Sequence, residues 1–218
     1  NYEFQSAEEY LSGNIREKLE IAKEAAEIDD LYNENVKALE TVLPKDLMCS
    51  EIGVRLGSTW IPKEDIQDFM YELLGTPEYQ REKITVEFSP PTSQWHIEGK
   101  TVDLSNIKAN QKYGTKRINA YSIIEDSLNL KDVKIFDYYT DDNGNQKSML
   151  NKKETAIALG KQELIKNAFK EWIWKDTNRR ERLTRYYNDT FNASVPRHYN
   201  GNHLEFPEMN QLIELRPH

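Results

Sequence analysis

Ile84-Thr-Val-Glu-Phe-Ser-Pro-Pro-Thr-Ser-Gln-Trp-His-Ile-Glu-Gly-Lys-Thr-Val-Asp-Leu104 decides the fold class. Ile84, Val86 and Phe88 alternate with polar residues, and Trp95 and Ile97 alternate again, the period-two pattern of half-buried strands. Ser89-Pro90-Pro91-Thr92 breaks the chain between the two runs. Gly99-Lys100 reads as a tight turn into a third short strand at 101–104. Helical patterns flank this β segment on both sides. The expected class is therefore α+β: an N-terminal helical hairpin, a small mainly antiparallel sheet and long C-terminal helices.

Downstream, Ile118, Tyr121, Ile124 and Leu128 predict a helix near 117–128, and a strand is expected over 133–139. Asp142-Asn143-Gly144-Asn145 is a turn signal that opens a mobile loop. Asn151, with Glu154 three residues later, forms a capping-box arrangement at the head of a long helix over 152–174. Its apolar surface is assigned to Leu159, Leu164, Ala168, Phe169, Trp172 and Ile173. A further helix is expected over 177–190, and the chain turns loop-like after Pro196, with Tyr199-Asn200-Gly201-Asn202 as a turn.

Upstream, Ile52, Val54 and Leu56 alternate as a short strand ending at Gly57. Pro62 suits the first turn of a helix. Ile66, Phe69, Met70, Leu73 and Leu74 make its core-facing stripe, and Gly75 its cap. Ile15, Leu19, Ala22 and Ala26 predict a helix over 14–28. Leu31, Val36 and Leu39 predict a second over 30–42 that stops before Pro44. The three resulting parts are a helical arm at 1–50, a mixed α/β part at 51–150, and a helical part and linker at 151–218.

The 218 residues carry 29 basic and 37 acidic side chains, a net charge of −8, and 38% hydrophobic residues. A chain this long buries a sizeable core. No run approaches the ~18 apolar residues of a membrane span, and the first residues do not form a signal peptide. The single Cys49 excludes an internal disulfide and a multi-cysteine zinc site and points to a reducing, cytoplasmic setting. The chain lacks an initiator Met and ends on Leu215-Arg216-Pro217-His218, so it is expected to be a piece of a longer protein.

Motif searches exclude most catalytic chemistry. There is neither a Walker-type phosphate loop nor a Gly-x-Gly-x-x-Gly fingerprint. His96-Ile-Glu98 resembles half of a zinc-deaminase motif, but the cysteine pair that chemistry needs is missing. His96 and Glu98 therefore read as solvent-side strand residues. Asp141-x-Asn143-x-Asn145 imitates the start of a calcium loop. Gln146 and Lys152 stand where its Gly and Glu belong, so a hairpin turn is expected. His96, His198, His203 and His218 show no ligand spacing.

The charge is unevenly spread. Residues 1–50 hold 12 acids and 5 bases, whereas residues 146–185 hold 11 bases and 5 acids. Arg179, Arg182 and Arg185 stand three apart, neighbours on one helix face, and Tyr186, Tyr187 and Phe191 follow. Arginines near aromatics suit nucleic-acid phosphates and unstacked bases. With Lys175, these three arginines are the expected DNA contacts. A salt-bridged surface, with Glu181 neutralising part of the row, is the plain alternative. Lys108, Lys112, Lys116 and Arg117 around Tyr113-Gly114-Thr115 form a second phosphate-contacting candidate, weighed against a merely solvated loop.

Leu215-Arg216-Pro217-His218 resembles the Leu-Arg-Pro-x-Gln motif that opens superfamily-two helicase ATPase cores, and stops one residue before the Gln. Further motifs extend the resemblance. They are Tyr10-Leu-Ser-Gly-Asn-Ile-Arg-Glu-Lys-Leu19, Glu51-Ile-Gly-Val-Arg-Leu-Gly-Ser-Thr-Trp-Ile-Pro62 and Tyr113-Gly-Thr-Lys-Arg-Ile-Asn-Ala120. To these add Leu150-Asn-Lys-Lys-Glu-Thr155, Phe169-Lys-Glu-Trp-Ile-Trp174 and Tyr199-Asn-Gly-Asn-His-Leu-Glu-Phe-Pro207. Together they resemble large bacterial and phage proteins that join an adenine-specific DNA methyltransferase to a Swi/Snf-like helicase. Glu208 departs from the family's Phe-Pro-Gly-Met-Asn pattern at the Gly position.

The resemblance places the chain between the two catalytic modules and carries over no catalytic residue, cofactor or metal ligand. It implies ATP and S-adenosylmethionine for the parent protein. The implied partners are DNA and the flanking methyltransferase and helicase domains, with no membrane. The implied function is a non-catalytic domain that engages DNA or connects the modules. A purely architectural spacer without DNA contact is the alternative, and an independent hydrolase the remote third.

Overall fold

The computed structural model describes residues 5–197. It is α+β, and it forms two compact units: one from the N-terminal residues to Glu51 together with the chain from Thr184, the other from Ile52 to Leu183. These units cut across the three-part division at residue 150, because the long helix after Asn151 packs into the core of the Ile52–Leu183 unit.

The smaller unit begins with a helical turn α1 (Ala7–Tyr10) and a short strand β1 (Gly13–Asn14). Helix α2 (Ile15–Ile28) follows, then a 3-10 turn at Asp30–Tyr32 and helix α3 (Asn33–Val42). Asn14 starts α2 by accepting the Glu17 backbone N–H, and its amide donates to the Glu17 carboxylate, a reciprocal cap. Ile15, Leu19, Ala22 and Leu39 form the core. Leu31, expected inward, is 71% exposed, because the 3-10 turn rotates it off the α3 stripe.

In the larger unit, Ile52 and Leu56 are buried and Val54 packs against the core, yet this segment is irregular and not the expected strand. Among the described residues no strand pairs with it, so the alternation records side-chain burial alone. Helix α4 (Lys63–Leu74) buries Ile66, Phe69, Met70 and Leu74. It ends on Gly75, whose φ of +64° is the left-handed cap conformation. After a turn α5 (Glu78–Arg81) come β2 (Val86–Ser89) and β3 (Gln94–Ile97), an antiparallel hairpin in which Val86 faces Ile97 and Phe88 faces Trp95.

Residues 101–104 are turns and not a third strand, with Leu104 exposed and Asp103 buried. A π-helical turn at Lys108–Lys112 leads to α6 (Ala120–Leu128). Strands β4 (Phe136–Thr140) and β5 (Gln146–Leu150) pair antiparallel, so the segment after Asn145 is a strand where a loop was expected. Asp141 Oδ1 accepts from the Asn143 and Asn145 backbone N–H groups and closes that turn.

Helix α7 (Lys152–Ile173) is capped by Asn151, which accepts from the Glu154 N–H. Phe69 meets Phe169 edge-on at 5.0 Å and Trp172 at 5.5 Å, the aromatic centre of this core. Helix α8 (Thr177–Phe191) supplies residues to both units. Strand β6 (Ser194–Val195) returns to pair with β1, Gly13 opposite Val195.

Side chains on or beside helices satisfy the edges of the β2–β3 hairpin and the segment that leads into β4. Gln67 of α4 accepts from the Val86 N–H. Asn129, just after α6, accepts from the Trp95 N–H and donates to its carbonyl, and Glu125 takes the Ile97 N–H. On α7, Thr155 and Gln162 take the N–H groups of Ile135 and Val133. A buried backbone group without a partner costs about 1–3 kcal/mol, so these polar side chains hold inward positions. Of the apolar surface counted from sequence, Phe169, Trp172 and Ile173 are buried, whereas Leu159 and Leu164 are exposed.

Candidate nucleic-acid interface

Of the four residues expected to contact DNA, Arg179 is committed most fully to the fold. Its guanidinium lies 3.4 Å over the Trp172 ring. It donates to the carbonyls of Trp172 at 2.7 Å and Ile173 at 3.0 Å. These carbonyls end α7, and the Trp172 one also accepts the Lys175 backbone N–H, so Arg179 adds a positive charge to the helix end where the dipole favours one. Asp176 accepts the Arg179 backbone N–H at 2.8 Å and starts α8.

Arg182 Nη2 donates to Asp65 Oδ1 at 2.6 Å, and the Asp65 side chain is only 7% exposed. Arg185 grips both carboxylate oxygens of Asp189 and reaches Asp46 at 3.4 Å. The Asp189 hydrogen bonds push the Arg185 pKa further up. Arg185 borders a cleft of the smaller unit, about 900 Å³, that also holds Glu17, Glu20, Glu40, Asp46 and Asp189. Arg16, Lys23 and Lys45 line it too, so acids and bases are nearly balanced there and no basic surface for a phosphate results. Lys175 differs from the arginines: it is exposed, and its ammonium has no partner among the described residues.

The second basic segment is arranged differently. Between Asp103 and Glu125 the chain carries Lys108, Lys112, Lys116 and Arg117 and no acid. Arg117 is spent on Asp137 at 2.8 Å and the Phe136 carbonyl, and this pairing, with Asn151, holds the Asp137 carboxyl below the usual carboxylate range. Lys161 of α7 donates to the carbonyls of Gln111 at 3.1 Å and Lys112 at 2.9 Å. A cleft of about 650 Å³ lies there, lined by Asn110, Gln111, Gly114, Thr115, Lys116, Ile157 and Lys161. Counting charges along the chain finds Lys161 but not its tie to the loop 50 residues earlier. The only signal was that Ile157 and Lys161 are four apart, on one helix face.

Other candidate chemistry has structural partners. His96 is exposed and meets Glu125 at 3.2 Å. Burial opposes the Glu125 charge, but the Lys100 ammonium, the Ile97 N–H and His96 outweigh it and hold the carboxyl low. Tyr121, its pKa pushed far up by burial, donates to Asp103 at 3.0 Å inside the core. Among the described residues, no group of three or more His, Cys, Asp or Glu side chains is placed to hold a metal ion. No helix among them is long and apolar enough to cross a membrane. His198, His203 and His218 lie outside the described residues, as do Tyr199–Pro207, Glu208 and Leu215–His218.

No curated protein and no solved structure matches the chain. One family does, described as a domain of unknown function (DUF8437), over residues 55–193. The match takes in the hairpin β2–β3, the Lys116–Lys161 cleft, helix α7 with its Trp172–Arg179 stack, and all of α8, and covers well over half of the sequence: the chain belongs to the DUF8437 family.

Proposed function

We propose that this chain is a non-catalytic connecting domain of a cytoplasmic DNA-modifying protein, one that joins an adenine-specific methyltransferase to a Swi/Snf-like helicase. In that setting ATP and S-adenosylmethionine bind the flanking modules, and this domain links them. The parent assignment rests on the sequence motifs that resemble that family. The connecting role rests on one observation: Arg179, Arg182 and Arg185 direct their charge at Trp172 and two carbonyls, at Asp65, and at Asp189 with Asp46. A DNA-binding row needs guanidinium groups free for phosphates, whereas Arg179 ties α8 to the end of α7, Arg182 ties it to α4, and Arg185 is neutralised by two carboxylates.

A DNA-engaging role keeps specific support from Lys175, whose ammonium is unpartnered among the described residues, and from the lysines at the α7 cleft. Fluorescence anisotropy against single-stranded, duplex and forked DNA over a salt series separates the two. A connecting domain gives an Arg179→Ala, Arg182→Ala, Arg185→Ala variant that loses stability and keeps whatever DNA affinity the parent chain has. A DNA-binding row gives a variant that stays folded and loses salt-dependent binding.

A further inference from the structure

We propose that the cleft between the Lys108–Lys112 turn and the Ile157–Lys161 face of α7 is a binding site for a phosphate group. No side chain lining it is acidic, and two are lysines, Lys116 and Lys161. Lys161 is fixed by the carbonyls of Gln111 and Lys112, which use two of its three N–H donors and leave one. Lys116 is exposed, and neither its ammonium nor its backbone N–H has a partner among the described residues. Gln111 adds an exposed amide.

The loop that carries these donors is held open from within. Thr115 Oγ1 accepts from the backbone N–H groups of Arg117 at 3.1 Å and Ile118 at 3.2 Å. Asn110 donates to the carbonyls of Leu104 and Asn106, both at 2.9 Å. Arg117 pins the far end to Asp137. An anion therefore meets one lysine already in position, Lys161, and orders the Lys116 side chain when it binds. Water screens the exposed Lys116 and the half-buried Lys161, so the expected affinity is modest and falls with salt. The site does not depend on the connecting role, and its failure leaves that role untouched.

The same phosphate chemistry could come from a nucleic-acid strand or from a free phosphate compound. The test follows backbone amide shifts of the whole chain by NMR while adding inorganic phosphate in one arm and a single-stranded thymidine oligonucleotide in the other. The expected result is saturable shifts at Gln111, Thr115, Lys116 and Lys161. Saturation by phosphate alone identifies a small phosphate ligand, and saturation by the oligonucleotide alone identifies a strand. Lys116→Ala, which removes a side chain without described partners, weakens that binding by roughly tenfold and leaves the unfolding midpoint unchanged. Lys161→Gln weakens it as well and serves as the second variant. Absence of saturable shifts at these amides in both arms, or unchanged binding by Lys116→Ala, overturns the site.

Discussion

Arg182 closes on Asp65 with 2.6 Å between Nη2 and Oδ1, a half-exposed cation set against a buried carboxylate. The other carboxylate oxygen, Oδ2, is buried and accepts no hydrogen bond among the described residues. Asp65 sits in the first turn of α4, where the helix dipole favours its charge. Arg182→Ala leaves that carboxylate without its main partner and is expected to destabilise by about 1–3 kcal/mol. Replacing both residues by apolar ones of similar volume, Asp65→Leu with Arg182→Met, recovers most of the loss. Urea unfolding of the two single variants and the double variant closes the cycle. Additive losses would show that the pair is not coupled.

The Arg179–Trp172 stack makes a second demand. Arg179→Ala loses the ring contact and both helix-capping bonds, and about 2 kcal/mol of stability is expected to go with them. Arg179→Lys restores less than half, because an ammonium cannot stack and fork together. Equal stability of the lysine variant and the parent chain would refute the capping role.

Gln162→Leu tests the edge-satisfaction account against intuition. The substitution adds apolar volume at a buried position, yet removes the partners of the Val133 N–H, the Lys131 carbonyl and the Ser127 hydroxyl. A loss of about 1–3 kcal/mol is expected, with faster hydrogen exchange at the Val133 amide. A stabilised variant would contradict the account.

Acid provides a further check through Glu125. Its carboxyl is held below the ordinary range in the folded chain, so it binds a proton less readily there than when unfolded. Its contribution is therefore present above the unfolded value and is lost as pH falls through the lower folded one, on the acid side of the ordinary glutamate range. Glu125→Gln should flatten that part of the acid limb in a pH series of urea midpoints. A parallel acid limb in the variant would remove Glu125 from the acid response.

The strongly periodic elements were legible in the sequence. Asn151 with Glu154 marked the start of α7, Gly75 the end of α4, and the stripe from Ile66 to Leu74 its buried face. The β2–β3 hairpin was visible in its alternation, but Ile52–Leu56 alternates equally well without pairing. Alternation reports burial on one side, and pairing needs a partner that local sequence does not contain. On α7 the apolar count did not tell buried from exposed residues: Leu159 and Leu164 are exposed, while Thr155 and Gln162 occupy inward positions and bond backbone 20 and 29 residues away. The arginine spacing was visible, but Asp65, 117 residues from Arg182, was not legible as its partner. For the same reason charge counting could not show that the α8 arginines are paired within the fold, whereas the Lys175 and Lys116 ammonium groups have no partner among the described residues.

The central claim is that the α8 arginines bind the fold and not DNA. One paired measurement tests it: DNA anisotropy over a salt series together with urea unfolding, on the parent chain and on the Arg179→Ala, Arg182→Ala, Arg185→Ala variant. The account predicts an unfolding midpoint that drops steeply while DNA affinity and its salt slope, measured below that midpoint, stay the same. An unchanged midpoint with a salt slope reduced by about 3 would mean that three phosphate contacts had been lost, and would contradict it.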